Sequence, residues 1–194
     1  VDSGPLAQLL GHADEDLTFR LLPILQDLKG NHAEKTLREF LTHFSDRIRG
    51  KSVEILMEKN PHTLPDIFPL LEDPSLRVRS LVLKHLSRGR DEIAEGLLLD
   101  YLRTFAVKKR DKRHLLACYT ALGRCGSTRS LPFLRKTLGG QSWLPGFRRS
   151  THREGAALAL AALETEEASA ILLRGCRSIV PSIRTACKRA LETG

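Results

Sequence analysis

A short pattern that returns four times along the chain is the sequence feature that most constrains the fold. Each copy has an arginine preceded by an apolar residue or a histidine, and a leucine follows the arginine by seven residues. Self-similarity at a period of about 20–50 residues is typical of proteins built from stacked structural repeats. The four copies are Ile48-Arg49 with Leu56, Val78-Arg79 with Leu86, His152-Arg153 with Leu160, and Ile183-Arg184 with Leu191.

The spacing of these copies indicates units of two helices. Arg49 and Arg79 are 30 residues apart, and Arg153 and Arg184 are 31 residues apart. A fifth copy, with Leu115 in place of the arginine, falls in the longer gap between Arg79 and Arg153. A helix pair cannot bury its apolar face alone, so neighbouring pairs must stack to form a continuous core.

The segments around these copies are typical of helices. Apolar residues recur with helical periodicity, and the sequence has neither an alternating run of Val, Ile and Thr nor an Asn-Gly hairpin. Helix starts are predicted near Asp46, Asp91 and Asp111, because Asp is a favoured N-cap residue. Pro181 is expected to open the last helix, and Asn60-Pro61 to end an earlier one. The sequence therefore predicts an all-α protein.

Composition excludes several classes of protein. No stretch approaches the roughly 20 apolar residues that a membrane-spanning helix needs, so no membrane insertion is expected. The cysteines form no Cys-x-x-Cys pair, so no metal site is expected, and Cys118 and Cys187 are predicted to pack in the core. Reduced thiols predict a cytoplasmic protein. Since the sequence begins with Val1, we expect it to be part of a longer protein.

Charge is distributed unevenly along this chain, whose formal net charge is +8. Residues 1–97 hold 13 basic and 16 acidic residues, whereas residues 98–194 hold 18 basic and 7 acidic residues. From Arg103 to Arg153 there are 13 basic residues and a single acidic one, Asp111. Such asymmetry indicates contact with a polyanion or with an acidic protein surface.

Two basic clusters stand at the starts of successive predicted second helices. The helix macrodipole disfavours cations at an N-terminus, so an anion or an acidic partner is expected to compensate them. Regular stacking of the helix pairs would place the clusters side by side, about 10 Å apart, as one positive surface. The alternative is a solvated basic face that aids solubility. We call the surface formed by the two clusters the basic ridge. It comprises Lys108, Lys109, Arg110, Lys112, Arg113, Arg148 and Arg149.

An unusual loop between Gly139 and Ser150 carries the single tryptophan of the chain. Trp143 lies four residues before Phe147, and Phe147 is followed directly by Arg148 and Arg149. Aromatic residues interleaved with arginines can stack on bases or anchor a peptide. The alternative is that Trp143 folds back over the end of the core between helices.

Several segments resemble the short bacterial HEAT repeats of the PBS-lyase-like type. Residues 71–86 contain an Asp-Pro turn followed by Val-Arg, and residues 153–191 contain the same Arg-to-Leu spacing twice around an alanine-rich helix. The likeness covers roughly residues 31–191 and is weakest around Leu115. It implies a right-handed α-solenoid of about five to six HEAT-like helix pairs.

The resemblance also implies a domain organisation and a role for the repeated arginines. Residues 1–194 would form a single HEAT-repeat domain, with a divergent capping pair in residues 1–30 and five units in residues 31–194. In this family, the arginine pairs with an acidic residue of the neighbouring turn and holds one repeat against the next. Structural inter-repeat roles are therefore expected for Arg49, Arg79, Arg153 and Arg184.

No single activity follows from the resemblance, because the family includes scaffolds, bilin lyases and a group of DNA glycosylases. The seven histidines are scattered, and the sequence has no Gly-rich phosphate loop and no nucleophile motif. We therefore expect no catalytic residue, no cofactor and no enzyme activity, with base excision or lyase activity as the open alternative. The predicted function is a non-catalytic scaffold that binds a protein partner with an acidic surface through its concave face and the basic ridge. The alternative is a nucleic-acid-binding protein that uses the same ridge.

Overall fold

A computed structural model of the protein describes residues 14–28, 31–104, 111–140 and 146–193. All regular structure in these ranges is helical, and they contain no strand. The prediction of an all-α chain is therefore confirmed for the described residues. The chain packs as two compact units, which divide between His85 and Leu86.

The first unit is a succession of helices interrupted by prolines. Pro23 separates the first two helices, because proline lacks the N–H that would continue the hydrogen-bond ladder. Asn60 ends the fourth helix, and its side-chain oxygen accepts a hydrogen bond from the His62 N–H at 3.0 Å. The elements are α1 (Glu15–Leu21), α2 (Ile24–Asp27), α3 (Asn31–Phe40), α4 (Asp46–Lys59), a 3₁₀ turn (Pro61–Thr63), α5 (Leu64–Ile67), a second 3₁₀ turn (Phe68–Glu72) and α6 (Leu76–Leu86).

Helix α4 is the centre of the first unit. Helices α1, α2 and α3 all pack against α4. Ile48, Val53 and Leu56 of α4 are fully buried, and the burial of each such side chain contributes about 1.5–3 kcal/mol. On another side α6 comes close to Gly50, where an added Cβ would lie 3.1 Å from the Leu81 side chain.

In the first unit, hydrogen bonds join the start of α4 to that of α1 and the start of α6 to that of α4. The Ser45 hydroxyl donates to Glu15 at 2.7 Å, and the Ser75 hydroxyl donates to Asp46 at 2.7 Å. Asp46 is the first residue of α4 rather than its N-cap, which is Ser45. The hydrogen bond from Ser75 lowers the pKa of Asp46. The carboxylate predicted to cap its own helix therefore links the start of α4 to the start of α6.

The second unit consists of consecutive helix pairs. Its elements are α7 (Glu92–Thr104), α8 (Lys112–Cys125), a 3₁₀ turn (Thr128–Ser130), α9 (Leu131–Gly139), α10 (Gly146–Leu163), α11 (Glu166–Cys176) and α12 (Pro181–Thr193). Helix α7 packs on α8, α9 on α10, and α11 on α12. The second helices also pack on one another, since α10 contacts both α8 and α12.

Glycines permit the close approach of these second helices. A Cβ added to Gly123 in α8 would collide with the backbone of Ala159 in α10. A Cβ added to Gly155 in α10 would collide with the ring of Tyr119 in α8. The contact between α8 and α10 is thus made partly by backbone, which only residues without a side chain allow.

Local capping sets the helix starts in the second unit. Asp91 accepts a hydrogen bond from the Ala94 N–H at 2.8 Å, and Asp111 accepts one from the Arg113 N–H at 2.9 Å. Both predicted N-caps are confirmed, as is the start of the last helix at Pro181.

The predicted burial of two cysteines is also confirmed, since Cys118 and Cys187 are fully buried. None of the described helices is long and apolar enough to cross a membrane.

Candidate functional site

The structure describes two side chains of the predicted basic ridge. Lys112 and Arg113 lie in the first turn of α8, and both are exposed. Lys108, Lys109, Arg110 and Trp143 lie outside the described residues. Helix α10 includes positions 147–149, but the side chains of Phe147, Arg148 and Arg149 are likewise outside the described set.

A salt bridge joins the start of α8 to α10. The Lys112 ammonium lies 2.8 Å from the Glu154 carboxylate, and the two side chains are 59% and 26% exposed. Residue 149 is five positions before Glu154, or about 8 Å along the axis of α10 at 1.5 Å per residue. The start of α8, with Lys112 and Arg113, is therefore close to backbone positions 148 and 149 of α10.

The positive charge at the start of α8 is compensated by two acidic residues. Asp111 accepts a hydrogen bond from the Arg113 backbone and places a negative charge at the positive end of the helix macrodipole. Glu154 pairs with Lys112. In contrast, no salt bridge within the described residues engages Arg113.

The repeated arginines share a local contact. In three of them, one guanidinium nitrogen donates to a backbone carbonyl oxygen six residues earlier, in the turn that precedes the same helix. Guanidinium groups carry five N–H donors, so one side chain can satisfy several carbonyls that the turn leaves without partners. Arg49 donates to His43 and Phe44 at 2.7 and 2.9 Å, Arg79 to Asp73 and Pro74 at 2.7 and 3.1 Å, and Arg184 to Ser178 at 3.1 Å.

Contacts from these arginines to the following helix pair vary. Arg49 makes two hydrogen bonds to the carboxylate of Asp73. Arg153 donates to the Ser182 hydroxyl of the following pair at 2.6 Å. Within its own pair it also donates to the Leu138 carbonyl oxygen of α9 at 3.2 Å. The acidic partner implied by the family resemblance is thus present at Arg49, whereas a hydroxyl group takes its place at Arg153.

Arg90 has a structural role that the sequence analysis missed. Its guanidinium donates to the carbonyl oxygens of Gly123, Gly126 and Leu163. These oxygens lie at the C-terminal ends of α8 and α10, where backbone carbonyls lack helical partners and the macrodipole favours a cation. Arg90 therefore joins two second helices at one end. It lies outside the repeated pattern, so no spacing pointed to it.

Glu95 is a buried charged residue that no sequence pattern indicated. Its carboxylate accepts hydrogen bonds from the Ser127 N–H at 3.0 Å, the Ser127 hydroxyl at 2.9 Å and the Ser130 hydroxyl at 2.5 Å. Burial acts to raise the pKa of Glu95, but the hydrogen bonds from Ser130 and Ser127 outweigh it, so the pKa is lowered overall. The carboxylate holds the turn before α9 against α7.

A buried aromatic cluster fills the contact between α8 and α10. The Tyr119 hydroxyl lies 2.7 Å from the Nδ1 atom of His152, and the Tyr119 ring stacks on Phe133 with 6.3 Å between ring centroids. Burial raises the pKa of the Tyr119 hydroxyl. Tyr119 and His152 are both almost entirely buried, so this pair is part of the core.

A groove lies between α9 and α11 on the first helices of two successive pairs. Its volume is about 970 Å³. Arg135 and Lys136 line it from α9, and Arg174 lines it from α11. No sequence pattern pointed to these three cations, since the two helices that carry them are far apart in the chain and lie outside the dense basic clusters.

No group of three or more His, Cys, Asp or Glu side chains that could hold a metal ion occurs among the described residues. The described cysteines are all free thiols, and Cys176 is the one that is not fully buried.

Comparison with known proteins gives a structural likeness but no sequence match. The sequence matches no protein-family model and no curated protein. The structure of human deoxyhypusine hydroxylase in complex with glycerol is similar to this chain, with 15% sequence identity and a TM-score of 0.42. The match covers 96% of this chain and 82% of the hydroxylase chain.

This likeness corrects one prediction from the sequence. We predicted that the chain is not an enzyme, whereas the similar structure is that of an enzyme. The prediction that the chain is not an enzyme is therefore not supported. A likeness of this degree assigns no reaction to the chain, since similar folds host unrelated activities.

Proposed function

We propose that this chain is a helical-repeat scaffold of the HEAT type, a right-handed α-solenoid, that binds the acidic surface of a protein partner through the basic ridge. The observation that carries the proposal is the salt bridge between Lys112 and Glu154, because it holds the start of α8, which carries Lys112 and Arg113, against α10, the helix that contains positions 148 and 149. Arg113 is exposed beside it and forms no salt bridge with a described residue.

The stacked second helices support this proposal. Lys112 at the start of α8 pairs with Glu154 of α10, and Arg153 of α10 donates to Ser182 at the start of α12, so the N-terminal parts of these helices lie along one edge of the second unit. Cations placed along such an edge produce a continuous positive potential, which raises the rate of encounter with an acidic partner. We propose Trp143 and Phe147 as apolar anchors beside Arg148, since aromatic residues dominate the energetics of many interfaces.

A quantitative affinity-capture experiment tests the proposal. The bait is the full chain, and the ridge variant carries alanine at Lys109, Arg110, Arg113, Arg148 and Arg149. A matched control variant removes the same number and types of charges at exposed positions outside the ridge, namely Arg20, Lys84, Arg88, Arg124 and Arg177. Captured proteins from lysate of the source cells are quantified by mass spectrometry at two salt concentrations, with and without nuclease.

We expect the wild-type chain and the control variant to capture the same acidic proteins equally. The ridge variant should lose these proteins. Their capture should fall as salt rises, because exposed charges are screened, and nuclease should leave it unchanged. Equal capture by the ridge variant would refute the proposal. Loss of capture after nuclease treatment would refute it in favour of nucleic-acid binding, whose salt dependence is steeper still.

A further inference from the structure

The groove between α9 and α11 presents one face of each helix. Leu131, Arg135 and Gly139 follow one another at steps of four residues along α9, and Glu167, Ile171 and Arg174 follow at steps of four and three along α11. Residues at these steps share one side of a helix. The two faces are therefore turned toward each other across the groove.

The groove is open because neither helix packs closely on the other. Both α9 and α11 pack on α10, and the positions that face the groove include the small residues Gly139 and Ala170. Small side chains at facing positions leave space that larger ones would fill. A volume of about 970 Å³ is at the upper end of the range typical of ligand pockets, about 300–1,000 Å³.

The side chains of the groove combine an apolar floor with a basic rim. Leu131 and Ile171 are half-buried in the floor. Arg135, Lys136 and Arg174 are exposed at the rim, and no salt bridge in the described structure engages any of them. A single acidic residue, Glu167, lines the groove with these three cations.

We propose that this groove is a second binding site, distinct from the basic ridge, for an acidic peptide segment with an aliphatic anchor residue. Arginine binds carboxylates through paired N–H donors, and two arginines stand on opposite walls of the groove. The aliphatic anchor occupies the floor between Leu131 and Ile171. The carboxylates that flank the anchor contact Arg135 and Arg174.

The lining distinguishes this occupant from a nucleic acid. Single-stranded nucleic acids bind through basic grooves in which aromatic side chains stack on the bases. The described residues that line this groove include no aromatic side chain. An apolar floor adds affinity for an aliphatic side chain, whereas it adds none for a phosphate backbone.

Selection from a random 12-residue peptide library displayed on phage tests the proposal. The immobilised proteins are the wild-type chain, a groove variant with Arg135→Glu and Arg174→Glu, and a control variant with Arg124→Glu and Lys188→Glu. Both variants change the net charge equally, and the control positions are exposed residues outside the groove. Circular dichroism and thermal unfolding verify that each variant is folded.

We expect the wild-type and control proteins to enrich peptides in which Asp or Glu flanks Leu or Ile, and the groove variant to lose this enrichment. A selected peptide should bind the groove variant about tenfold more weakly than the wild-type chain, as the loss of two exposed charge contacts implies. The proposal is overturned if no acidic aliphatic motif is enriched, or if the groove variant enriches it equally. Competition by a 12-nucleotide oligothymidine at equal concentration would also overturn it.

The same selection separates this proposal from that of the basic ridge. The alanine variant of the ridge keeps Arg135, Lys136 and Arg174, so it should enrich the same peptides as the wild-type chain. Failure of the ridge proposal therefore leaves the selection unchanged. Loss of the peptides by the ridge variant would place the peptide site on the ridge and refute the groove.

Discussion

The guanidinium of Arg49 and the carboxylate of Asp73 form two parallel hydrogen bonds, from Nε to Oδ2 at 2.7 Å and from Nη2 to Oδ1 at 2.8 Å. The Arg49 and Asp73 side chains are only 10% and 2% exposed. The pair links α4 to the turn before α6. The hydrogen bonds that Arg49 donates to Asp73 raise the pKa of Arg49, which therefore stays charged at all physiological pH values.

Replacement of Arg49 by alanine should lower the free energy of unfolding by about 3–5 kcal/mol, because it leaves the Asp73 carboxylate buried without its cation. Urea denaturation followed by circular dichroism measures the change. Glu54→Ala is the matched control, since Glu54 belongs to a half-exposed pair with Lys51 within α4. That substitution should cost less than about 0.5 kcal/mol. Equal losses in the two variants would contradict a special role for the buried pair.

Two glycine substitutions in the second unit should change stability in opposite directions. Gly123→Ala should destabilise the protein by about 1–3 kcal/mol, because its Cβ would collide with the backbone of Ala159. Gly96→Ala should stabilise it by up to about 1 kcal/mol, since no atom lies within 4 Å of the added Cβ and alanine is the better helix former. Thermal unfolding of both variants gives the comparison. A stabilising Gly123→Ala would show that α8 and α10 are not in backbone contact.

Glu95 should make the stability of the second unit dependent on pH. Its folded-state pKa is lowered from the ordinary value of 4.5, so its contribution is present above pH 4.5 and is lost as the pH falls through the folded-state pKa. Glu95→Gln should reduce stability at pH 7 by about 1–3 kcal/mol and flatten the pH dependence of unfolding below pH 4.5. Urea denaturation at several pH values measures both effects.

Ser130→Ala gives an independent test of the same carboxylate. Loss of the 2.5 Å hydrogen bond should raise the pKa of Glu95 and move the acid-induced loss of stability to higher pH. Ser169→Ala, at an exposed serine of α11, should leave the pH profile unchanged. Identical profiles for the two serine variants would contradict the assignment.

Thiol reactivity should separate the four cysteines by burial. Burial raises the pKa of Cys125 to about 12 and that of Cys187 to about 11, so few of these thiols ionise at pH 8. A disulfide reagent at pH 8 should therefore label Cys176 first, because it is the most exposed of the four. Peptide mass spectrometry after brief labelling of the native protein identifies the modified residue. Faster labelling of Cys125 or Cys187 would contradict the packing described for them.

Helix positions could be predicted because their causes are local. Asp91 and Asp111 cap the helices that follow them, through hydrogen bonds to backbone groups two or three residues away. Pro181 begins α12 for an equally local reason, the fixed backbone angle of proline. Asp46 was the exception, because Ser45 is the N-cap of that helix and the Asp46 carboxylate accepts a hydrogen bond from Ser75, 29 residues later.

The candidate sites were predictable only in part. A count of charges along the chain pointed to the ridge, where basic residues are dense and contiguous in sequence. The groove has no such signal, because Arg135 and Arg174 belong to different helices and become neighbours only when α9 and α11 pack on α10. Glu95 and Arg90 were missed for the same reason, since their partners lie 32 or more residues away in the chain.

The sequence alone determined that this chain is helical, where several of its helices begin, and that its positive charge lies in the second half. These properties depend on backbone hydrogen bonding within a few residues and on composition. Tertiary structure decided which charges pair and which stay at the surface: Lys112 is neutralised by Glu154, while Arg113, Arg135 and Arg174 form no salt bridge in the described residues. The reason is geometric, since helix packing sets the distance between side chains that the sequence separates by tens of residues.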